Sequence, residues 1–262
     1  MKKKEERKYF DQEWADMKSH LKSFFKKAQQ EDLHGFRVQV KKLRAFLILS
    51  DSMGDHPKLA GYFKPINKIF KQAGEIRNAY MNQELGKAQQ IHNNAFMDSQ
   101  HQLEIKAGRK FKSNKVRFLE RLNVTRRVLK GKIKPVSDLY ISLFYQTRLE
   151  QIGDSLAILK FDDSLHQCRK QVKILIYNYK LAHAVPAIGF NKDYLERVQA
   201  VIGDWHDHVL AIKLFSNEMI DQAAVTKLKE QDSRLKKQIT ALTKDFYNQA
   251  TTVTELPVEQ IS

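Results

Sequence analysis

Residues 33–43 read Leu33-His34-Gly35-Phe36-Arg37-Val38-Gln39-Val40-Lys41-Lys42-Leu43, and residues 165–175 read Leu165-His166-Gln167-Cys168-Arg169-Lys170-Gln171-Val172-Lys173-Ile174-Leu175. Both follow L-H-x-x-R-x-Q-V-K-x-L, with seven shared residues at an offset of 132. In the first copy Phe36, Val40, Leu43 and Leu47 recur at three- and four-residue steps, the period of one helix face rather than of a strand. At about 100° per residue from Leu33, these apolar positions fall near 280–340°, whereas Arg44, Arg37, Lys41 and His34 fall near 20–100°. A basic stripe therefore runs beside a face that packs inward. The second copy places His166, Arg169 and Lys173 at the same angles and Cys168, Val172, Leu175 and Tyr179 on the apolar side. Ile176 stands at the position of Arg44, and Lys180 offers a cation one turn further along.

A second pair lies downstream. Phe70-Lys71-Gln72-Ala73-Gly74-Glu75-Ile76-Arg77-Asn78 matches Gln199-Ala200-Val201-Ile202-Gly203-Asp204-Trp205-His206-Asp207 in the order glycine, acid, polar pair, at an offset of 129. Two matches in the same order at nearly the same offset are the mark of an internal repeat. The chain is read as two related halves.

Working outward, apolar periodicity and breakers predict helices over about 8–30, 32–53, from after Pro57 to Gly74, 75–106, 136–160, 162–184, 191–203, 204–221 and 222–250. Residues 106–134 carry Lys106, Arg109, Lys110, Lys112, Lys115, Arg117, Arg121, Arg126, Arg127, Lys130, Lys132 and Lys134 against Glu120 alone, and read as one basic amphipathic helix ending at Gly131. The polar tail, 251–262, is expected to fray. Glycine (10) and proline (5) are scarce, and no stretch alternates with period two, so the fold class is all-α.

The chain carries 46 Lys and Arg against 30 Asp and Glu, a formal charge of +16. Residues 1–131 hold 29 basic and 14 acidic residues, and residues 132–262 hold 17 and 16, so the excess lies in the first half. Like charges one turn apart destabilise a helix by a few tenths of a kcal/mol per pair. Gathering them beside the core twice points to a counter-charge, and arginine and lysine suit phosphate oxygens. The partner class is a polyanion. The single cysteine, Cys168, excludes an internal disulfide, and its apolar position makes it a core residue rather than a nucleophile. No apolar run could span a bilayer and no signal peptide is seen, so the expected location is cytoplasmic. No Gly-rich phosphate loop of Walker spacing is present.

The two His-x-x-Arg-x-x-x-Lys helices and the two Gly-acid-x-polar-Asn/Asp segments together resemble the conserved histidine α-helical domain, the CHAD family, over about residues 8–250. The resemblance implies two pseudo-symmetric helical bundles around a central basic channel, in a stand-alone, non-enzymatic protein that binds inorganic polyphosphate and associates with polyphosphate granules. On that basis the chain divides into a first bundle (1–108), a basic connecting helix (109–134) and a second bundle (135–262). The polyphosphate-binding residues implied are His34, Arg37, Lys41, Arg44 and Arg77 in the first copy and His166, Arg169 and Lys173 in the second, with Lys180 added from its place on the helix. Asn78, where the family usually has Asp, and Ile176, where it usually has a basic residue, depart from the pattern. No catalytic residue, cofactor or metal is expected.

Three other readings compete. His206-Asp207, with His183 and His208 nearby, is the seed of a metal site, but no converging set of further ligands is visible. Nucleic-acid binding through residues 106–134 is the principal alternative, since phosphate contacts alone give salt-dependent affinity. No base-reading module accompanies it. The same segment could lie on anionic lipid, the third choice.

Overall fold

Helical spacing of large apolar side chains turns almost the whole chain into helices that each have one face to bury. The computed structural model describes residues 3–52, 58–90, 93–183, 185, 189–217 and 222–252. In order the helices are α1 (Lys3–Lys27), α2 (Gln30–Asp51), α3 (Leu59–Tyr62), α4 (Lys64–Ala88), α5 (Asn94–Ser113), α6 (Lys115–Lys132), α7 (Asp138–Ala157), α8 (Asp163–Ala182), α9 (Lys192–Asn217), α10 (Gln222–Thr243) and α11 (Phe246–Thr251). No strand occurs among the described residues, and the fold is all-α. The expected tail lies, from residue 253 onward, outside them.

The chain forms two compact units, Met1–Ser137 with Leu210–Lys229, and Asp138–Val209 with Glu230–Ser262. In the first, α1 and α2 form an antiparallel pair whose joint is set by Ala28 in the left-handed region (φ 58), its amide returning to the Phe24 carbonyl. Phe10, Met17 and Leu21 from α1 and Phe36, Val40, Leu43 and Leu47 from α2 are fully buried. This matches the apolar face read from the repeat. Phe111 of α5 packs with Phe24 (5.8 Å) and Phe25 (5.6 Å) of α1 and with Phe118 of α6 (5.0 Å between ring centroids). In the second unit Tyr145, Val172, Leu175, Tyr194, Leu195, Val198 and Ile239 are buried. The hydroxyl of Tyr145 donates to the Leu175 carbonyl (2.8 Å), and that of Tyr194 to the Leu242 carbonyl (2.9 Å). Burying an aromatic ring while its polar tip finds a backbone acceptor leaves no buried donor unpaired.

Three expected boundaries move. Gly74 was expected to end a helix, yet α4 runs through it to Ala88 and turns at Gln90 (φ 55). Gly203 likewise lies inside α9 rather than between two helices. Glycine costs roughly 1 kcal/mol against alanine in a helix interior, which packing on one face easily offsets. Conversely, the basic segment is two helices, because Asn114 interrupts it between α5 and α6. The Asn114 side chain donates back to the Lys110 carbonyl, a local bond that competes with the helical ladder. Elsewhere Asn93 caps α5 through Phe96 N, and Asp162 caps α8 through Ser164 N.

Candidate functional site

In the first unit α2 packs on α4. Arg37 leaves α2 at the edge of its buried face and lays its guanidinium across α4 at Gly74, where a Cβ would stand only 2.6 Å from Nη1. Nη1 donates to the Phe70 carbonyl (2.9 Å), and the guanidinium carbon lies 4.2 Å from the centre of the Phe70 ring. Arg44, two turns further along α2, donates through Nη2 to Asn67 Oδ1 (2.7 Å) and stands 5.0 Å from the same ring. Arg77, the turn after Gly74, has its guanidinium 5.0 Å from the Tyr80 ring. Both guanidinium groups thus lie beside the Phe70 ring while α4 accepts a hydrogen bond from each, an arrangement that loses little conformational freedom when an anion arrives.

The electrostatics are those of a cluster of like charges. Burial, then the charges of Arg77 and Arg44, lower the pKa of Arg37, and burial lowers that of Arg44. Both remain cations, because arginine starts so high. Among the described residues none of Arg37, Arg44 and Arg77 forms a salt bridge with a carboxylate. Lys41 is half-buried and His34 exposed on the same stripe.

The second unit repeats the arrangement. Arg169 of α8 crosses α9 at Gly203, where a Cβ would meet Nη2 at 2.5 Å, Nε at 2.8 Å and Cζ at 2.9 Å. Its Nε donates to the Gln199 carbonyl (2.9 Å). Gln199 precedes Gly203 by four residues, as Phe70 precedes Gly74. Lys173 is half-buried with Nζ 5.7 Å from the Tyr177 ring. Burial and Arg169 lower its pKa, and Asp207 opposes them. Gln171 of the motif accepts a hydrogen bond from Arg148 of α7. Where the first unit has Arg77 three residues past the glycine, the second has His206, whose ring lies against His166 at a centroid distance of 3.8 Å. Burial chiefly, then His206, Lys170 and Arg169, bring the pKa of His166 down to about 4, with Asp163 opposing. Burial also lowers that of His206, against the pull of Asp207. His166 Nδ1 is buried and accepts or donates no hydrogen bond.

Six of the nine expected residues gather in two places, one per unit. Arg37, Arg44 and Arg77 act on one another in the first, and His166, Arg169 and Lys173 in the second. Lys180 is exposed in the last turn of α8, and no described contact brings it to Arg169 or Lys173. The sequence reading missed the two glycines as part of the site, taking them for helix ends. It also set His206 aside as half of a metal pair. Their signal was present in the shared Gly-acid-x-polar spacing. Both ring nitrogens of His208 are engaged, by the Asp204 carbonyl (2.8 Å) and Gln231 Oε1 (3.0 Å). Among the described residues no group of three or more His, Cys, Asp or Glu is placed to hold a metal ion. Cys168 is buried, and burial pushes its thiol pKa up, which disfavours the thiolate.

The helices α5 and α6 carry a further set of cations in the first unit. Asp11 binds Arg126 (2.7 Å) and Lys130 (2.8 Å), and Lys18 donates to Asn123, tying α6 to α1. Burial works against the Asp11 charge, but the two hydrogen bonds from Lys130 and Arg126 hold its pKa below the usual range. Arg117 and Arg121 face Lys64 and Lys68 of α4 across a groove of about 450 Å³.

The sequence model of the CHAD domain matches residues 8–216. The chain belongs to the CHAD family. That match spans both crossing arginines and both glycines of the CHAD chain. The crystal structure of the CHAD domain from the plant Ricinus communis is similar in fold, with a TM-score of 0.66 over 90% of this chain and 89% of that one at 17% identity. No curated protein matches the CHAD chain. No helix among its described residues is long and apolar enough to cross a membrane.

Proposed function

We propose that this CHAD protein is a non-enzymatic binder of inorganic polyphosphate, held by two half-sites built on the paired His/Arg/Lys helices. The observation that carries the reading is the Arg37–Arg44–Arg77 cluster. Its cations repel one another and have no carboxylate partner among the described residues, yet Asn67, the Phe70 carbonyl and the Phe70 ring hold two of them in place. Positioned, partly desolvated guanidinium groups with unmet charge are what a flexible chain of phosphates needs, and no sequence readout is required. Arg169 and Lys173 supply the second half-site, and the repeated motif supports a duplicated origin for the two. A cytoplasmic location and attachment to polyphosphate granules form part of the proposal.

Nucleic acid is the second reading, favoured by the exposed cations of α5 and α6, where Arg117, Arg127, Lys115 and Lys132 face solvent. One experiment separates the two. Purified protein is titrated with long-chain polyphosphate at two salt concentrations, with RNA of equal total charge as competitor. Polyphosphate binding that survives excess RNA, and weakens steeply with salt, is the expected result. RNA binding as tight as polyphosphate binding would transfer the function to the α5–α6 surface.

A further inference from the structure

The two half-sites differ at one position that matters for protons. Three residues past the crossing glycine stands Arg77 in the first unit and His206 in the second. Arginine stays charged across the physiological range, so the first half-site has a fixed charge. The second has instead two imidazoles in contact, at a centroid distance of 3.8 Å and 43° between planes. We infer that the His166–His206 pair makes the second half-site a proton-coupled anion site, which takes up a proton from solvent as the phosphate chain binds. This rests on the polyphosphate reading and deepens it.

The surroundings explain the coupling. From α8 the pair is acted on by Lys170, Arg169 and Asp163, and from α9 by Asp207. α7, packed on α8, directs its Arg148 to Gln171. Arg169 is held over Gly203 by the Gln199 carbonyl, which keeps its charge near the rings. His166 Nδ1 is buried without a partner, and a proton placed there in the free protein would find no acceptor. Desolvation and neighbouring cations both keep the free pair neutral at pH 7. Phosphates laid along Arg169 and Lys173 cancel those cations and add negative potential beside the rings. The charged imidazolium is then favoured, and by linkage the same proton strengthens binding.

The test is isothermal calorimetry of the whole chain with long-chain polyphosphate, whose few titrating end groups contribute little, at pH 6.0 and 7.5 in pairs of buffers with different ionisation enthalpies. The wild type is expected to take up close to one proton per complex at pH 6.0, with affinity rising roughly five- to tenfold per pH unit lost. His206→Arg, which copies the first unit, is expected to bind with the pH dependence largely removed. His166→Gln, a smaller change should the arginine disturb packing, is expected to lower proton uptake as well. Circular dichroism checks that both variants fold. Binding without proton uptake in the wild type, or uptake unchanged in both variants, would overturn the inference while leaving the polyphosphate reading standing. Absence of binding at either pH would remove both.

Discussion

Arg37 and Gly74 are a fitted pair: the guanidinium occupies the space where any other residue at position 74 would carry its Cβ, 2.6 Å from Nη1. The same relation joins Arg169 to Gly203, where three guanidinium atoms lie within 2.9 Å of that Cβ position. Alanine at either glycine should move the arginine tip, which is flexible, rather than the helix backbone. Helix propensity gained, about 1 kcal/mol, is offset by the charged hydrogen bond lost, about 1.5–3 kcal/mol. Gly74→Ala and Gly203→Ala are therefore expected to fold with stability changed by about 1–2 kcal/mol or less. Both should bind polyphosphate several-fold more weakly, although no charge is removed. Gly203→Ala should show the larger loss. Thermal melts and a polyphosphate titration check this, and unchanged affinity in both would mean the pinned geometry is irrelevant to binding.

Charge reversal separates the half-sites. Arg37→Glu and Arg169→Glu should each weaken polyphosphate binding about tenfold or more, since each removes one charge-assisted contact and introduces repulsion. Together they should weaken it further and make the salt dependence shallower. Normal binding by the double variant would sink the proposed site.

Arg117 and Arg121 test the α5–α6 surface in the same way. Reversing both should lower RNA binding, with polyphosphate binding reduced less than twofold. Band-shift titrations at one fixed salt concentration read the difference. Equal losses for both ligands would show a single shared surface.

The stability of the free protein should depend on pH through two groups of opposite sign, the half-buried His166 and the buried Glu6. His166, at about 4 in the folded chain against an ordinary value of 6.5, is neutral when folded. Below pH 6.5 the unfolded chain binds the extra proton, so stability present above 6.5 is lost as pH falls toward 4. Glu6 is buried and accepts the Val136 amide (2.8 Å), and burial raises its pKa from 4.5 to about 6. The folded chain binds its proton more tightly, so stability present below 4.5 is lost as pH rises through 6. Glu6→Gln keeps an acceptor for Val136 and should stabilise the protein at pH 7.5 by on the order of 1 kcal/mol. His166→Gln should flatten the loss between pH 6.5 and 4. Melting temperatures across pH 4–8 measure both, and a Glu6→Gln variant less stable at pH 7.5 would refute the assignment for Glu6.

Much of this was legible from side-chain period and repetition. Phe36, Val40, Leu43 and Leu47 announce a buried face by spacing alone, and each is fully buried. The twofold L-H-x-x-R-x-Q-V-K-x-L pattern marked Arg37 and Arg169 before any fold was known. These features are local, because one helix turn sets which residues share a face. The helix ends at Gly74 and Gly203 were misread because glycine carries two meanings, a weak helix former and a gap for a neighbour. Only the neighbouring helix decides between them.

The sequence by itself determined the all-helical class, the buried faces and the position of the basic stripes, since helical period and charge are properties of consecutive residues. Tertiary structure alone decided that Arg37 crosses α4 at Gly74, that Arg44 meets Asn67, and that His206 lies on His166. Those pairings join residues 23–40 positions apart. The packing of one helix on another brings them together, and no local period encodes it.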